Sequence, residues 1–368
     1  MNRLHLIKRV LESVLNAAQP GASIYSLCKY GDDLVKAYTA SSFKKEKEFE
    51  KGTAFPTTIT LNNFIQNFSP DKSDDIIISA GDLVKIEVGA HINGFISNVA
   101  QTKIAGSGQI LSIEDKKAKV MVAAYLASEI AARQIAPGKS SKDVINAINN
   151  VAKEFGCQVA EHSFTSQLDQ FVFSGKKTFC NKVKTEGPMF DHEFNAGETY
   201  SLDVILSTGT GISKTSEYAP TIYSRNVNRS YRLKLKSSRL LFGKVCSAQS
   251  IFPFLMRETI DERDKMGLSE CVKNELLIPY SVSSDRNGEF VAQFKMTVFV
   301  HHSGPLRLTA PVPSPLPDLS FIPETSDIAS KLSVNLNQMP FCELPKNAAI
   351  SSISPPQLLV SDTVMQID

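Results

Sequence analysis

Lys85-Ile-Glu-Val-Gly-Ala-His-Ile-Asn-Gly-Phe-Ile-Ser-Asn-Val-Ala-Gln-Thr102 is the stretch on which the reading of the fold depends. Asn93-Gly94 at its centre predicts a two-residue type I′ hairpin turn, because that turn needs positive φ at both central positions. Pairing outward from the turn sets Gly89 opposite Asn98. Period-two alternation then places Lys85, Glu87, Gly89 and His91 on one face, with Val84, Ile86 and Val88 on the other. Glu87 and Asn98 become diagonal neighbours, close enough to share a ligand. Two carboxylates there would floor a two-metal site. Here one of the two is an amide.

The chain around the hairpin has 368 residues and 42% hydrophobic content, enough to bury a large core. Lys plus Arg 40 against Asp plus Glu 38 gives a net +2, which excludes polyanion binding by bulk charge, so any nucleic-acid surface must be local. Cys28, Cys157, Cys180, Cys246, Cys271 and Cys342 are scattered, with no Cys-X-X-Cys pair. That spacing fits a reducing compartment, and a cytoplasmic location is expected, with nuclear passage left open. Leu4 to Ala18 has helical apolar spacing, but Lys8, Arg9 and Glu12 interrupt it and leave no signal-peptide core. Apolar runs all fall short of the roughly 18 residues a membrane helix needs, so no membrane insertion is expected.

Two helix, Pro-Gly, helix units recur along the chain. The first helix stops at Pro20-Gly21; a second amphipathic pattern, Val120 to Ile135, stops at Pro137-Gly138 before a further helix from Asp143 to Phe155. Strand-like sequence follows each unit: Thr57 to Phe64 and the hairpin after the first, Phe171 to Thr178 and Thr199 to Ser207 after the second. This duplication predicts two related α+β halves with a cleft between them. An insertion from about 212 to 286 breaks the pattern, with Tyr223 to Lys244 strand-like and basic and Met256 to Leu277 helical and charged. Strand character returns at Glu289 to His301. Pro311-Val-Pro-Ser-Pro-Leu-Pro317 reads as an extended segment, and 321–368, rich in Ser, Pro and Asn, as a flexible tail beyond a 1–320 domain.

Three long motifs carry a resemblance. Ala54-Phe-Pro-Thr-Thr-Ile-Thr-Leu-Asn-Asn-Phe-Ile-Gln-Asn-Phe-Ser-Pro70, Gly81-Asp-Leu-Val-Lys-Ile-Glu-Val-Gly-Ala-His-Ile-Asn-Gly-Phe-Ile-Ser-Asn-Val-Ala100 and Gly288-Glu-Phe-Val-Ala-Gln-Phe-Lys-Met-Thr-Val298 resemble the type 2 methionine aminopeptidases. They resemble most the non-peptidase branch, the proliferation-associated or ErbB-receptor-binding proteins, and Phe43-Lys-Lys-Glu-Lys-Glu48 extends the likeness. The resemblance implies the pita-bread fold of two pseudo-symmetric α+β halves with a type 2 insert. It also implies which positions correspond to the peptidase ligands: Glu87 and Asn98 for the two hairpin aspartates, Ser166 for the histidine, Asp203 and Lys295 for the two glutamates. Asn67 stands at the substrate-side histidine. His162, close to Ser166 in sequence, falls four residues early.

Charge argues against catalysis at such a site. Four carboxylates and an imidazole would supply four negative charges to two divalent ions, whereas Glu87, Asp203 and Lys295 sum formally to −1. Protonated Lys has no lone pair to give, and Asn and Ser are poor ligands for divalent ions. Neither a metal nor a cofactor is expected, and Lys295 should pair with Glu87 or Asp203. Glu161-His162-Ser163 reads as surface polar sequence, and Ser207-Thr-Gly-Thr-Gly211 as a turn.

Between Arg225 and Lys244 lie seven basic residues, Arg225, Arg229, Arg232, Lys234, Lys236, Arg239 and Lys244, and no acidic one. Tyr231, Leu233 and Leu235 alternate with Arg232, Lys234 and Lys236, which predicts a strand with one packed and one cationic face. A merely solvated face is one reading. RNA phosphate binding is the sharper one, because same-sign clustering is what counterion release rewards. The resemblance implies association with ribosomes and structured RNA and, in one branch, DNA. The expectation is therefore an inactive aminopeptidase-like protein that binds the large ribosomal subunit near the tunnel exit and contacts rRNA, with a role in ribosome biogenesis, translation or growth control. The alternative is an adaptor for protein partners in growth signalling. The lysine-rich nucleolar tail of the vertebrate members has no counterpart in Ser351-Ser-Ile-Ser-Pro-Pro-Gln357 and the residues after it, so nucleolar targeting is not implied.

Overall fold

The computed structural model describes residues 2–106, 112, 114–183, 191–248, 251–259, 266–309, 311, 327–333, 336–338 and 353–358. Helices α1 (Asn2–Ala17) and α2 (Ile24–Ser41) lead into β1 (Lys51–Leu61), β2 (Phe64–Gln66) and the hairpin β3 (Leu83–Ile92) and β4 (Phe95–Ile104). Helices α3 (Lys116–Gln134) and α4 (Ser141–Glu154) follow, then β5 (Gln158–Val159), β6 (Phe164–Leu168), β7 (Thr178–Cys180) and β8 (Thr199–Ser207). One sheet runs in the order β1-β3-β4-β14-β8-β6-β7, where β14 is Val291–His301. Its centre joins the two halves, since Lys295 on β14 faces Ala100 on β4 on one side and Asp203 on β8 on the other.

Each half has its own core under its own pair of helices. Val84, Ile86 and Val88 pack with Leu6, Ile7, Leu11 and Leu27 of α1 and α2. Leu202, Val204, Phe294 and Met296 pack with Val120, Ala127, Ile130 and Ile148 of α3 and α4. The two Pro-Gly stops behave alike, with Gly21 at φ +88° and Gly138 at φ +79°, a region open to glycine without steric cost. Helix starts are fixed by side chains: Ser23 accepts from the Ser26 amide, Asp115 from the amides of Lys117 and Ala118, and Ser140 with Asp143 forms a capping box. The expected duplication into two α+β halves is thus the observed architecture.

Between β8 and β14 the insert contains β9 (Lys214–Thr215), β10 (Ile222–Arg225), α5 (Lys236–Ala248), β11 (Phe254–Leu255), α6 (Leu268–Lys273), β12 (Leu277–Tyr280) and β13 (Ser283–Ser284). Strands β11-β10-β12 form a small sheet over a core of Tyr223, Leu233, Leu241, Val245, Met256 and Cys271. Strand β13 ties the insert to the body by pairing with β2 and β9.

Four expectations about secondary structure are corrected. Residues 171–178 are mostly turn rather than strand: Phe171, at φ +58°, folds over Gly94 at the hairpin tip, and its amide donates to the Gly94 carbonyl at 2.9 Å. The stretch 223–244 is a strand only to Arg225, then coil, then helix. Glu270 accepts the amides of Lys234 at 2.7 Å and Leu235 at 3.1 Å and so starts α5, whose Ser238, Leu241 and Val245 face inward at helical spacing. Leu233 is buried while Tyr231 and Leu235 are exposed, so the predicted packing face does not exist. Among the described residues, Met256 to Leu277 is helical in a 3-10 turn, Met256–Glu258, and in α6 with the 3-10 residues Met266 and Gly267 that lead into it, and residues 260–265 lie outside the description. Gly267 lies against the backbone of Ser237 and Ser238, a contact that a larger residue in a continuous helix would block.

After β14 come β15 (Gly304–Arg307), α7 (Asp327–Leu332) and β16 (Asn337–Gln338). The proline-rich stretch lies outside the described residues except for Pro311. Within the expected flexible tail, Ile328 and Leu336 join the core of the second half, Ile353 packs on that of the first, and β16 pairs in parallel with β15. Apolar burial holds these described parts of the tail on the body.

Candidate functional site

Asn93 at φ +52° and Gly94 at φ +77° give the hairpin its left-handed turn, and the register sets Gly89 against Asn98 and Glu87 against Ala100, as the sequence predicts. The backbones approach closely at Gly89: a Cβ there would stand 3.0 Å from the Phe55 amide nitrogen, where the register of β1 against β3 shifts. Strand β14 runs beside β4 and β8, and its alternate residues Gln293, Lys295 and Thr297 point to the same face as Glu87 and Asp203.

Three of the five ligand-equivalent positions, Glu87, Asp203 and Lys295, come together, and the other two, Asn98 and Ser166, stand apart from them. Lys295 Nζ lies 2.5 Å from Glu87 Oε1 and 2.8 Å from Asp203 Oδ2, so it pairs with both carboxylates rather than with one. Gln293 Nε2 donates to the remaining oxygens, Glu87 Oε2 at 3.1 Å and Asp203 Oδ1 at 2.9 Å. All four side chains are buried. Burial pushes the Asp203 carboxyl up and Lys295 only partly offsets it, leaving it at about 6. Burial would lower Lys295, but the charges of Asp203 and Glu87 outweigh it and hold the ammonium above the ordinary lysine range.

Asn98 is held elsewhere on the face. Its Oδ1 accepts from Ser201 Oγ at 3.1 Å and Thr297 Oγ1 at 3.0 Å, while Thr309 Oγ1 donates to its carbonyl at 2.8 Å. Its Nδ2 has no hydrogen-bond partner among the described residues. Ser166 pairs with Ser201 across β6 and β8 and is half-buried. Asn67 takes φ +68° and its Nδ2 donates to the Ser281 carbonyl of the insert at 3.1 Å, a turn and tether role. The insert also covers this face, where Phe55 stacks with Phe173 at 5.8 Å and meets the edge of Tyr280 at 5.5 Å.

Gln293 was missed in the sequence, and the signal was present: it sits two residues before Lys295 on a strand, hence on the same face. Ser163, expected on the surface, is fully buried instead. Its Oγ donates to the Asp203 carbonyl at 2.7 Å and supports β8 from below the cluster. The Ser207–Gly211 turn holds an internal anion: Asp285 Oδ2 accepts from Ser207 Oγ at 2.6 Å and from the Gly211 amide at 2.9 Å.

Six of the seven basic residues, Arg229, Arg232, Lys234, Lys236, Arg239 and Lys244, are exposed, and Arg225 is half-buried. They line the coil before α5 and its first turns rather than one strand face. Arg239 folds back on the carbonyls of Leu233 at 2.9 Å and Lys234 at 2.8 Å. Two acids enter from α6 and its end, Glu270 at the Lys234 and Leu235 amides and Glu275 at 3.9 Å from Arg229, which a linear count does not reveal. Among the described residues no helix is long and apolar enough to cross a membrane.

The profile of metallopeptidase family M24 matches residues 4–207. ErbB-3 binding protein 1 of Solanum tuberosum is 38% identical over 307 residues, covering 83% of this chain and 79% of that protein. The curved DNA-binding protein of Schizosaccharomyces pombe is 34% identical over 309 residues, covering 82% and 80%. Among solved structures, a thermophilic Arx1 superposes with a TM-score of 0.80 at 26% identity, covering 91% of this chain and 97% of that one. Sequence likeness and shared architecture together place the chain in metallopeptidase family M24 with the pita-bread fold, in the branch whose members are named ErbB-3 binding protein 1 and proliferation-associated protein.

Proposed function

We propose that this chain is a catalytically inactive aminopeptidase-like protein that binds the large ribosomal subunit near the tunnel exit and structured RNA, acting in ribosome biogenesis, translation or growth control from the cytoplasm. The inactivity rests on Lys295. Its ammonium stands between Glu87 and Asp203, where a pair of divalent ions would need anionic oxygens, and Gln293 takes the carboxylate oxygens that Lys295 leaves. Those residues do not fit a metal pair.

The RNA reading is supported by the start of α5. Arg232, Lys234 and Lys236 are exposed around it, and the acid that enters there, Glu270, is spent on the amides of Lys234 and Leu235. A phosphate backbone would neutralise the exposed cations that one carboxylate leaves uncompensated. The name of the Schizosaccharomyces pombe relative fits a nucleic-acid surface. Co-sedimentation with ribosomes at two salt concentrations tests the reading: binding should be strong at low salt and fall steeply at high salt. Failure to sediment at low salt would leave the second reading, a protein-interaction adaptor. That reading is favoured by Leu235 and Leu240, 53% and 54% exposed among the same basic residues.

A further inference from the structure

The seam between the two halves opens toward the hairpin tip. Among the described residues β4 and β14 pair at one position, Ala100 with Lys295, and closer to the tip hydroxyls take over the bridging: the Asn98 amide donates to Thr297 Oγ1 at 3.2 Å and Thr309 Oγ1 donates to the Asn98 carbonyl at 2.8 Å. Past Asn98 lies a cavity of about 440 Å3, within the range of sites that hold small ligands or single side chains. Phe43, Phe95 and Ile96 wall it from the first half, Leu168 from the second, and Leu308 from the chain just after β15. None of Glu87, Asp203, Gln293 or Lys295 lines it, and neither does any residue of the insert.

One charged group, Asp169, stands in this wall among the described residues, and the fold holds it rigidly. Its amide donates to the Val172 carbonyl at 3.2 Å and its carbonyl accepts from the Val172 amide at 3.0 Å. That turn is pinned to the hairpin tip, where Gln170 Nε2 donates to the Asn93 carbonyl at 2.9 Å and the Phe171 amide to that of Gly94. The Asp169 carboxylate itself is exposed, with no hydrogen bond or ion pair from the described residues. A fixed, unpaired anion beside an apolar hollow loses little freedom when it takes a cation. Phe95 and Val172, 50% and 39% exposed, extend the apolar surface outside the cavity. On the opposite rim Gly197, at φ +96°, has open space where a Cβ would stand, so a second chain can cross there.

We propose that this pocket docks a linear segment of a partner protein in which a large apolar side chain is flanked by Lys or Arg. The apolar side chain fills the hollow between Phe43, Phe95, Ile96 and Leu168. A flanking cation meets Asp169, which repels an acidic segment of the same shape. Gln170 and Thr199, also in the wall, offer neutral polar groups to the backbone of such a segment. Because the wall takes residues from both halves and none from the insert, the segment bridges the seam and does not compete for Arg232, Lys234 or Lys236.

The test is calorimetric titration of the full chain with acetyl-Gly-Arg-Phe-Arg-Gly-amide, for which saturable binding is expected below about 1 mM. The same peptide with Glu-Phe-Glu at its centre should bind several-fold more weakly, and with Arg-Ala-Arg more than about tenfold more weakly, since the apolar contact is the larger contribution. Asp169→Asn changes an exposed side chain and should remove most of the preference for Arg over Glu. Phe95→Ala should weaken both phenylalanine peptides, with urea unfolding run on each variant to show that it stays folded. Phenethylamine serves as a free amine of the same chemistry and should bind more weakly than the Arg-Phe-Arg peptide; equal binding would overturn the assignment to a peptide segment. No saturable binding of the Arg-Phe-Arg peptide at millimolar concentration, equal affinity for the Glu-Phe-Glu peptide, or affinities unchanged in both folded variants would overturn the proposal.

Discussion

Gln293 and Lys295 divide the same two carboxylates between them: each donates to one oxygen of Glu87 and one of Asp203, so all four oxygens are satisfied by two side chains of one strand. The arrangement is buried and carries a formal charge of −1. Removing Lys295 would leave two carboxylates facing each other with only a neutral amide between them. Lys295→Met should therefore destabilise the fold by about 3 to 5 kcal/mol in urea unfolding, the usual result of breaking a buried pair while its partner stays charged. A loss below about 1 kcal/mol would show a solvated cluster instead.

Metal uptake follows from the same geometry. Purified protein soaked in Co2+ or Mn2+ should show no stoichiometric two-ion binding by calorimetry and no cleavage of Met-Ala peptides. Two ions per chain would contradict the role given to Lys295.

The hairpin and both helix, Pro-Gly, helix units were legible because their signals are local. Asn93-Gly94 forces a turn by φ alone, and the period of two then fixes which side chains share a face. The insert was misread where tertiary contacts override local pattern. The alternation of Tyr231, Leu233 and Leu235 is real, yet Glu270, more than thirty residues away, caps the amides of Lys234 and Leu235 and turns the next segment into a helix. Likewise the cluster charge was readable from Glu87, Asp203 and Lys295, whereas the pairing of Lys295 with both acids depends on how β14 lies between β4 and β8.

Lys85 sits two residues before Glu87 on the same face and is 1% exposed, with Nζ donating to the Asn62 carbonyl at 3.0 Å. Burial lowers it to about 7, and Asp82 only partly offsets this. A lysine with a depressed folded pKa contributes stability that is present above its unfolded value, near 10.5, and lost as pH falls through about 7. The protein should thus be more stable at pH 9 than at pH 7, and Lys85→Met should flatten that rise and stabilise the protein at pH 7 by on the order of 2 kcal/mol. Asp203 works in the opposite sense at lower pH: its raised carboxyl favours the fold below about 3.8, and this contribution is lost as pH rises through about 6. Unfolding by guanidinium at pH 4, 7 and 9, with Lys85→Met and Asp203→Asn in parallel, separates the two.

Arg232, Lys234 and Lys236 are exposed around the start of α5, and their neutralisation to Gln spares the buried Leu233, Leu241 and Val245 that hold the helix on the insert. Folding should survive, since Glu270 holds the helix start through backbone amides that these substitutions keep. Affinity for ribosomes or structured RNA should fall. If each side chain neutralises one phosphate, the slope of log K against log salt should flatten by about 2 to 3, at roughly 0.7 to 0.9 per contact. Reversal of all three to Glu should weaken binding further, and to a similar degree across RNA sequences, because phosphate contacts position without specifying. Since Glu270 holds the backbone of Lys234 and Leu235, Glu270→Gln should disturb the helix start while leaving the number of cations unchanged. The salt slope should then stay near that of the unmodified protein even if affinity drops. An unchanged affinity and slope in the neutral triple variant would mean that these cations only face solvent, and the adaptor reading would take precedence.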